Sequence, residues 1–317
     1  MHKSFGALAL ASLFAFAASA SPTQAGVITF TSGNGTGTVC SEIQPCDIAI
    51  AISSVPSAGE ILCVGPVVIS VATAFNLLIN KSMTLDCPVG VARGPLVIDA
   101  PGHVVVIRNL TFNSGGVPVG SPAIDFKNGR ALVIENCTFI NFYADTPPIA
   151  VNFRPALAGS QLTVKNSVFV NNGIGSAGGG IVVRPEGSGN ARVLIEGVTV
   201  GHGIFGIAAD GTGSTGGINM TISNSQISGN AQYGIVAATS AGGAPIGLLV
   251  TNTKSANNTV GIGSFGPNVT VRVESSKITG NGTGLSFGSG GALLTAGNNT
   301  VEANGSNGAF SSSYALK

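Results

Sequence analysis

The chain of 317 residues contains no tryptophan and only three tyrosines, and just 9% of its residues are charged. The missing tryptophan and scarce tyrosine argue against sugar recognition by aromatic stacking, an expectation drawn from composition alone. Fourteen basic side chains stand against thirteen acidic ones, so the basic footprint of a nucleic-acid-binding protein is lacking. Long apolar runs are also missing beyond the first 25 residues, because glycine, asparagine and serine break each one. No later segment therefore reaches the roughly 20 residues that a membrane-spanning helix needs. Disorder is excluded as well, since hydrophobic residues make up 44% of the chain and disordered chains are charge-rich and apolar-poor.

What is present begins with an export signal. His2 and Lys3 precede an apolar run from Phe5 to Ala18, followed by two small-residue cleavage sites, Ala18-Ser19-Ala20 and Thr23-Gln24-Ala25. Residues 1–25 read as a secretory signal peptide, which implies a periplasmic, cell-surface or extracellular destination. Export makes the five cysteines legible. Proximity suggests bridges Cys40–Cys46 and Cys63–Cys87. Cys137 is left over, at a position that serine or threonine fills in sister repeats.

The phrase IENCTFINF, Ile134 to Phe142, returns as VKNSVFVNN, ISNSQISGN and VTNTKSANN. Anchoring each copy on the residue before its first asparagine gives Arg108, Glu135, Lys165, Glu196, Ser223, Thr251 and Glu274, at spacings of 27, 30, 31, 27, 28 and 23. Such periods indicate a solenoid. Before each anchor, apolar residues alternate with a period of two, as in Leu132 and Ile134 or Val193 and Ile195, the pattern of a strand with one buried face. A second short strand follows, centred on Phe112, Phe139, Phe169, Val200, Ile227 and Ile278, and a third begins near Ile124, Val151, Ile181, Ile207 and Ile235. The expected fold is all-β: a right-handed parallel β-helix with three short strands per coil. Asn109, Asn136, Asn166, Asn224 and Asn252 would turn the sharp corner after the first strand and stack as a ladder, with Gly197 and Ser275 as replacements.

The ends of such a stack need covers. Residues 46–57, CDIAIAISSVPS, carry Ile48, Ile50, Ile52 and Val55 and predict a short capping helix. The expected organisation is a cap over residues 26–65 with helix and disulfide loop, the β-helix over 66–305 and a tail over 306–317. Asp86, Arg108, Glu135, Lys165 and Glu196 alternate in sign along the anchor row and would form an ion-pair ladder.

The third strand supplies the candidate site. If Ile124 and Phe126, Val151 and Phe153, and Ile181 and Val183 point inward, then Asp125 and Asn152 point outward in one row. Lys127, Arg154, Arg184 and Asp210 point outward in the next. Six polar groups would converge on one sheet face within four coils, against the alternative of an ordinary solvated face.

The segments CSEIQPCDIAIAI, GEILCV, INKSMTLDCPVG, GGGIVVRPEGSGNA, GIAADGTGSTGGINMTI and GNGTGLSFGSGGALLTAGNNTVEANG resemble a group of secreted bacterial right-handed β-helix repeat proteins. The resemblance covers nearly the whole mature chain and implies a fold but no particular activity. More distantly it is similar to the pectin-lyase-like superfamily, which holds both enzymes and adhesive proteins. Gly201-His202-Gly203 resembles a polygalacturonase triplet, but residues 171–200 offer no aspartate for the acid and base work. The calcium site of pectate lyases needs clustered carboxylates, whereas only Asp125 and Asp210 share the proposed face. β-helix lyases of alginate-like uronans use a lysine and an arginine, which Lys127 and Arg154 could imitate, with Arg184 neutralising a uronate carboxylate. The reading that follows is a non-catalytic protein binding an extended, anionic polysaccharide through Asp125, Asn152, Arg184 and Asp210. The alternative is a uronate lyase with Lys127 and Arg154 as its catalytic pair. No metal, cofactor or nucleic-acid partner is expected.

Overall fold

The structure is a computed structural model that describes residues 28–33, 35–65, 67–69, 77–115, 122–143, 148–175 and 177–316. The expected signal peptide lies outside the described residues. The period-2 strands stack as three parallel ladders, of which the first and third join into one sheet of 19 strands. In the first ladder, Ser160–Lys165 pairs in register with Ala191–Glu196, which pairs with Ile218–Ser223, which pairs with Ile246–Thr251. The second sheet is a ladder of ten strands running from Val67–Ile69 to Thr300–Glu302. The third ladder stacks Ile149–Phe153, Gly179–Val183, Phe205–Asp210, Tyr233–Ala238 and Val260–Phe265. In two coils no corner separates the third strand from the next first strand: Leu96–Arg108 and Ile124–Glu135 run through as single strands of 13 and 12 residues.

The repeat anchors are direct neighbours. Asp86 pairs with Arg108, Arg108 with Glu135, Glu135 with Lys165, Lys165 with Glu196, and the row continues through Ser223 and Thr251 to Glu274. The ion pairs along it are selective. Arg108 binds Asp86 at 2.7 Å and also Glu60, while Lys165 reaches Glu196 at 3.6 Å.

Every proposed corner residue adopts the left-handed backbone: Asn109, Asn136, Asn166, Gly197, Asn224, Asn252 and Ser275 have φ between 42° and 65°. The carboxamide ladder expected there is fragmentary among the described residues. Asn252 Nδ2 donates to Asn224 Oδ1 at 2.7 Å, but Asn109 turns to the Asp86 carboxylate, and Gly197 leaves a gap. Charged anchors compete as acceptors and divert the amides. The continuous ladder lies at the next corner and inside the stack. Asn230 Nδ2 donates to Asn258 Oδ1 at 2.9 Å, Asn258 Nδ2 to Asn281 Oδ1 at 3.0 Å, and Asn281 Nδ2 to Asn304 Oδ1 at 2.9 Å. The same oxygens accept the backbone N–H groups of Asn230, Asn258 and Asn281, so each buried amide satisfies a buried corner.

Inside, phenylalanines stack coil on coil. Phe112, Phe139 and Phe169 have ring centroids 4.5 and 4.6 Å apart and nearly parallel planes. Hydroxyls form another interior row, in which Ser167 Oγ accepts from the Cys137 N–H and Ser276 Oγ from the Thr253 N–H. Cys137 takes a serine position in that row and is free and buried, with its thiol pushed up to about 12 by burial. The disulfides are Cys40–Cys46 and Cys63–Cys87.

The expected helix forms over Ile48–Ser54, with the Asp47 side chain accepting from Ala49 N at 2.8 Å as N-cap. Its buried stripe is Ile48, Ala51 and Ile52, continued by Val55, whereas Ile50 is exposed because a helical period turns it outward. A strand at Ile28–Thr31, not expected from the sequence, pairs in parallel with Gly59–Cys63, which in turn pairs with Met83–Asp86. At the other end Ser312–Ser313 pairs with Ala292–Thr295, and Tyr314 Oη lies 3.2 Å from a Glu274 carboxylate oxygen.

Candidate functional site

The third ladder holds the candidate residues at coil spacing. Asn152 is the direct neighbour of Asp125 and of Val182, and Val182 is that of Ala208, so the expected row exists. Its polar members do not face solvent. Asp125 is 8% exposed and Asn152 only 2%, because the arginines of the next row fold back over them.

Arg154 grips Asp125 with two parallel bonds, Nε to Oδ1 at 2.7 Å and Nη2 to Oδ2 at 2.8 Å, and its Nη1 reaches Glu186 at 3.1 Å. Asn152 Nδ2 donates to the same Asp125 Oδ1 at 2.8 Å, and its own Oδ1 accepts from Arg184 Nε at 2.7 Å. Desolvation pushes the Asp125 carboxyl upward, but hydrogen bonds from Arg154 and Asn152, with Lys127 nearby, outweigh it and hold the group below its ordinary value. The bonds to Asp125 and Glu186 likewise raise Arg154, against the opposing effect of burial. Arg154 is therefore a closed structural cation and a poor proton donor. Glu186 was not anticipated from the sequence, although it lies two residues after Arg184 on the following turn.

Arg184 is different. Only its Nε is bonded among the described residues, so its terminal nitrogens are available to a groove of about 510 Å³. The floor of that groove is Val182, Ala208 and Val236, one polar edge is Arg184 and Asp210, and the wall is Phe205, Tyr233 and Phe265. Phe205 and Tyr233 stack with centroids 6.1 Å apart, and Phe265 meets Tyr233 edge-on at 5.8 Å. Glycine at position 263 makes this convergence possible, since a Cβ there would lie 2.8 Å from the Phe265 ring and 2.9 Å from that of Tyr233. Asp210 Oδ1 accepts from Thr212 N at 2.9 Å and Thr212 Oγ1 at 2.6 Å, which holds the carboxylate in place.

The sequence placed Asp125, Asn152, Arg154, Arg184 and Asp210 on one sheet, and the structure divides them. Asp125, Asn152 and Arg154 form a closed network, whereas Arg184 and Asp210 line the groove. Lys127 lies at a register irregularity, between Phe126, which pairs with Ile98, and Asn128, which pairs with Asp99. Of the aromatic wall, alternation places Phe265 outward, in the row of Asp210 and Ala238, and misses Phe205 and Tyr233. Counting back two from the inward Ile207 and Ile235 assigns both to the core, whereas the structure turns them outward because Gly206 and Gly234 take the inward position before each isoleucine. His202 takes the left-handed corner position beside Gly229, away from the groove.

Three parallel ladders wound into one solenoid define a β-helix. Residues 156–315 match the family described as "Right handed beta helix region". The chain belongs to that family. Among solved structures it is similar to one described as "Crystal structure of pectate lyase Pel9A", with 16% identity and a TM-score of 0.54 over 91% of this chain and 78% of that one. That likeness concerns the fold. A search of curated proteins finds no match.

Proposed function

We propose that this protein is an exported, non-catalytic binder of an extended anionic polysaccharide, which lies along the third ladder. The observation that carries the reading is the groove itself. An arginine with unengaged terminal nitrogens stands at one edge and three aromatic rings form the wall. An aromatic face takes the apolar side of a sugar ring, while a guanidinium fork takes a carboxylate. The Asp125–Asn152 pair acts beneath the surface, holding Arg184 by its Nε so that little ordering remains for binding to impose. Two disulfides support passage through an oxidising compartment.

A uronate lyase is the second reading, favoured by the structural likeness to a pectate lyase. In it Lys127 takes the proton and Arg154 assists the leaving group. The engagement of Arg154 by Asp125 and Glu186 weighs against that role. A glycan array probed at low and at moderate salt tests the first reading, with binding expected to polygalacturonate or alginate and to weaken as salt rises. Binding to neutral glucans alone would contradict it. Incubation with the same polymers separates the two readings, because a lyase yields an unsaturated product absorbing in the ultraviolet and loses it in Lys127→Ala.

A further inference from the structure

A second feature lies on the opposite side of the asparagine corner, away from the aromatic groove. Along the first ladder the chain sets unlike charges side by side: Asp86 against Arg108 and Lys165 against Glu196. On the second sheet it does the reverse. Lys254 and Lys277 are direct partners in adjacent parallel strands, so their outward side chains start about 4.8 Å apart. Like charges directly opposite each other destabilise a sheet. Neither ammonium has an ion-pair partner within reach among the described residues, and each belongs to an exposed side chain. The preceding members of the same row, Val168, Thr199 and Gln226, are uncharged, so the pair is a local departure and not a periodic habit.

The two lysines flank a cleft of about 360 Å³ whose other walls include Thr199, Asn224, Gln226, Asn252 and Ser275. The lining combines two cations with neutral hydrogen-bonding groups and contains no carboxylate. Asn224 and Asn252 are held in place by their own bond at 2.7 Å, and each sits in the left-handed corner conformation. The cleft is thus a rigid polar frame beneath an uncompensated pair of positive charges.

We infer that this cleft binds a tetrahedral oxyanion, a sulfate or phosphate ester group carried on an extended molecule. Two point-like ammonium groups side by side select charge and several acceptor oxygens, where the planar guanidinium of Arg184 suits a carboxylate. Bound between them, such a group neutralises their repulsion, while Gln226 and Ser275 supply uncharged partners. The site does not depend on the aromatic groove, from which it is separated by the interior of the solenoid.

The test is calorimetric titration of the full chain with a sulfated galactan hexasaccharide, which carries no carboxylate, and separately with inorganic phosphate, at moderate salt. The double variant Lys254→Gln/Lys277→Gln is expected to bind the sulfated hexasaccharide about tenfold or more weakly, while Lys81→Gln binds it like the parent. Without ligand, the double variant is expected to melt no lower than the parent, because the repulsion is gone. A response to inorganic phosphate that is also lost in the double variant identifies the anion itself as the ligand, and a response to the hexasaccharide alone identifies the esterified glycan. Unchanged affinity in the double variant, or an equal loss in Lys81→Gln, overturns the site. Loss in Arg184→Ala alone would assign the sulfated glycan to the aromatic groove and overturn it as well.

Discussion

Asp125 holds the cationic edge of the third ladder together, and its ionisation gives the most direct handle at the residue scale. Its folded-state pKa is depressed. It therefore contributes stability that is fully present above the ordinary carboxylate value of 3.8 and is lost as pH falls through the lower folded value. Asp125→Asn is expected to be less stable than the parent at pH 7, by about 1.5–3 kcal/mol for lost bonds to a charged group. The gap should close in melts run at progressively lower pH. A gap that does not begin to narrow as pH falls below 3.8 would show that the carboxylate charge is not what matters. The interior asparagines are equally specific. Asn258→Ala removes the acceptor of the Asn230 N–H and leaves it buried and unpaired, an expected loss of about 1–3 kcal/mol in denaturant unfolding. The left-handed corners were legible because the conformational demand is local. The buried ladder was not: in Gly229-Asn230, Asn257-Asn258 and Gly280-Asn281 the first residue makes the turn and the second faces inward. Only the stacked coils distinguish the two.

At the scale of elements, strand alternation and repeat spacing were enough to set the register, since the anchors from Asp86 to Glu274 pair in the order read from the sequence. The inward row follows from that register, and Ile195, with no exposed surface, is its clearest member. Ile195→Asp would bury an unpaired charge between two coils and is expected to abolish the folded protein. A variant that melts like the parent would contradict the register. What sequence alternation could not show was the opening strand at Ile28–Thr31, which is too short to carry a pattern of its own. Nor could it show that Leu96–Arg108 and Ile124–Glu135 run through the corner unbroken. Both outcomes depend on pairing with neighbours that lie far along the chain.

Across the whole molecule, the solenoid brings residues that lie some 30 positions apart in sequence into rows one coil apart, and the candidate site is a consequence of that winding. The cationic part was legible because charge is rare in this chain. The aromatic part was legible only at Phe265, which alternation turns outward, because Phe205 and Tyr233 stand two residues before inward isoleucines and look like core residues. The central claim is that this groove reads an anionic sugar by charge and ring face together. The most direct measurement is calorimetric titration of an oligogalacturonate into the parent, Arg184→Ala, Tyr233→Ala and Glu196→Ala. Affinity should fall by about tenfold to a hundredfold in Arg184→Ala and by about tenfold in Tyr233→Ala, with Glu196→Ala on the first ladder unchanged. Equal affinity in all four proteins would contradict the account.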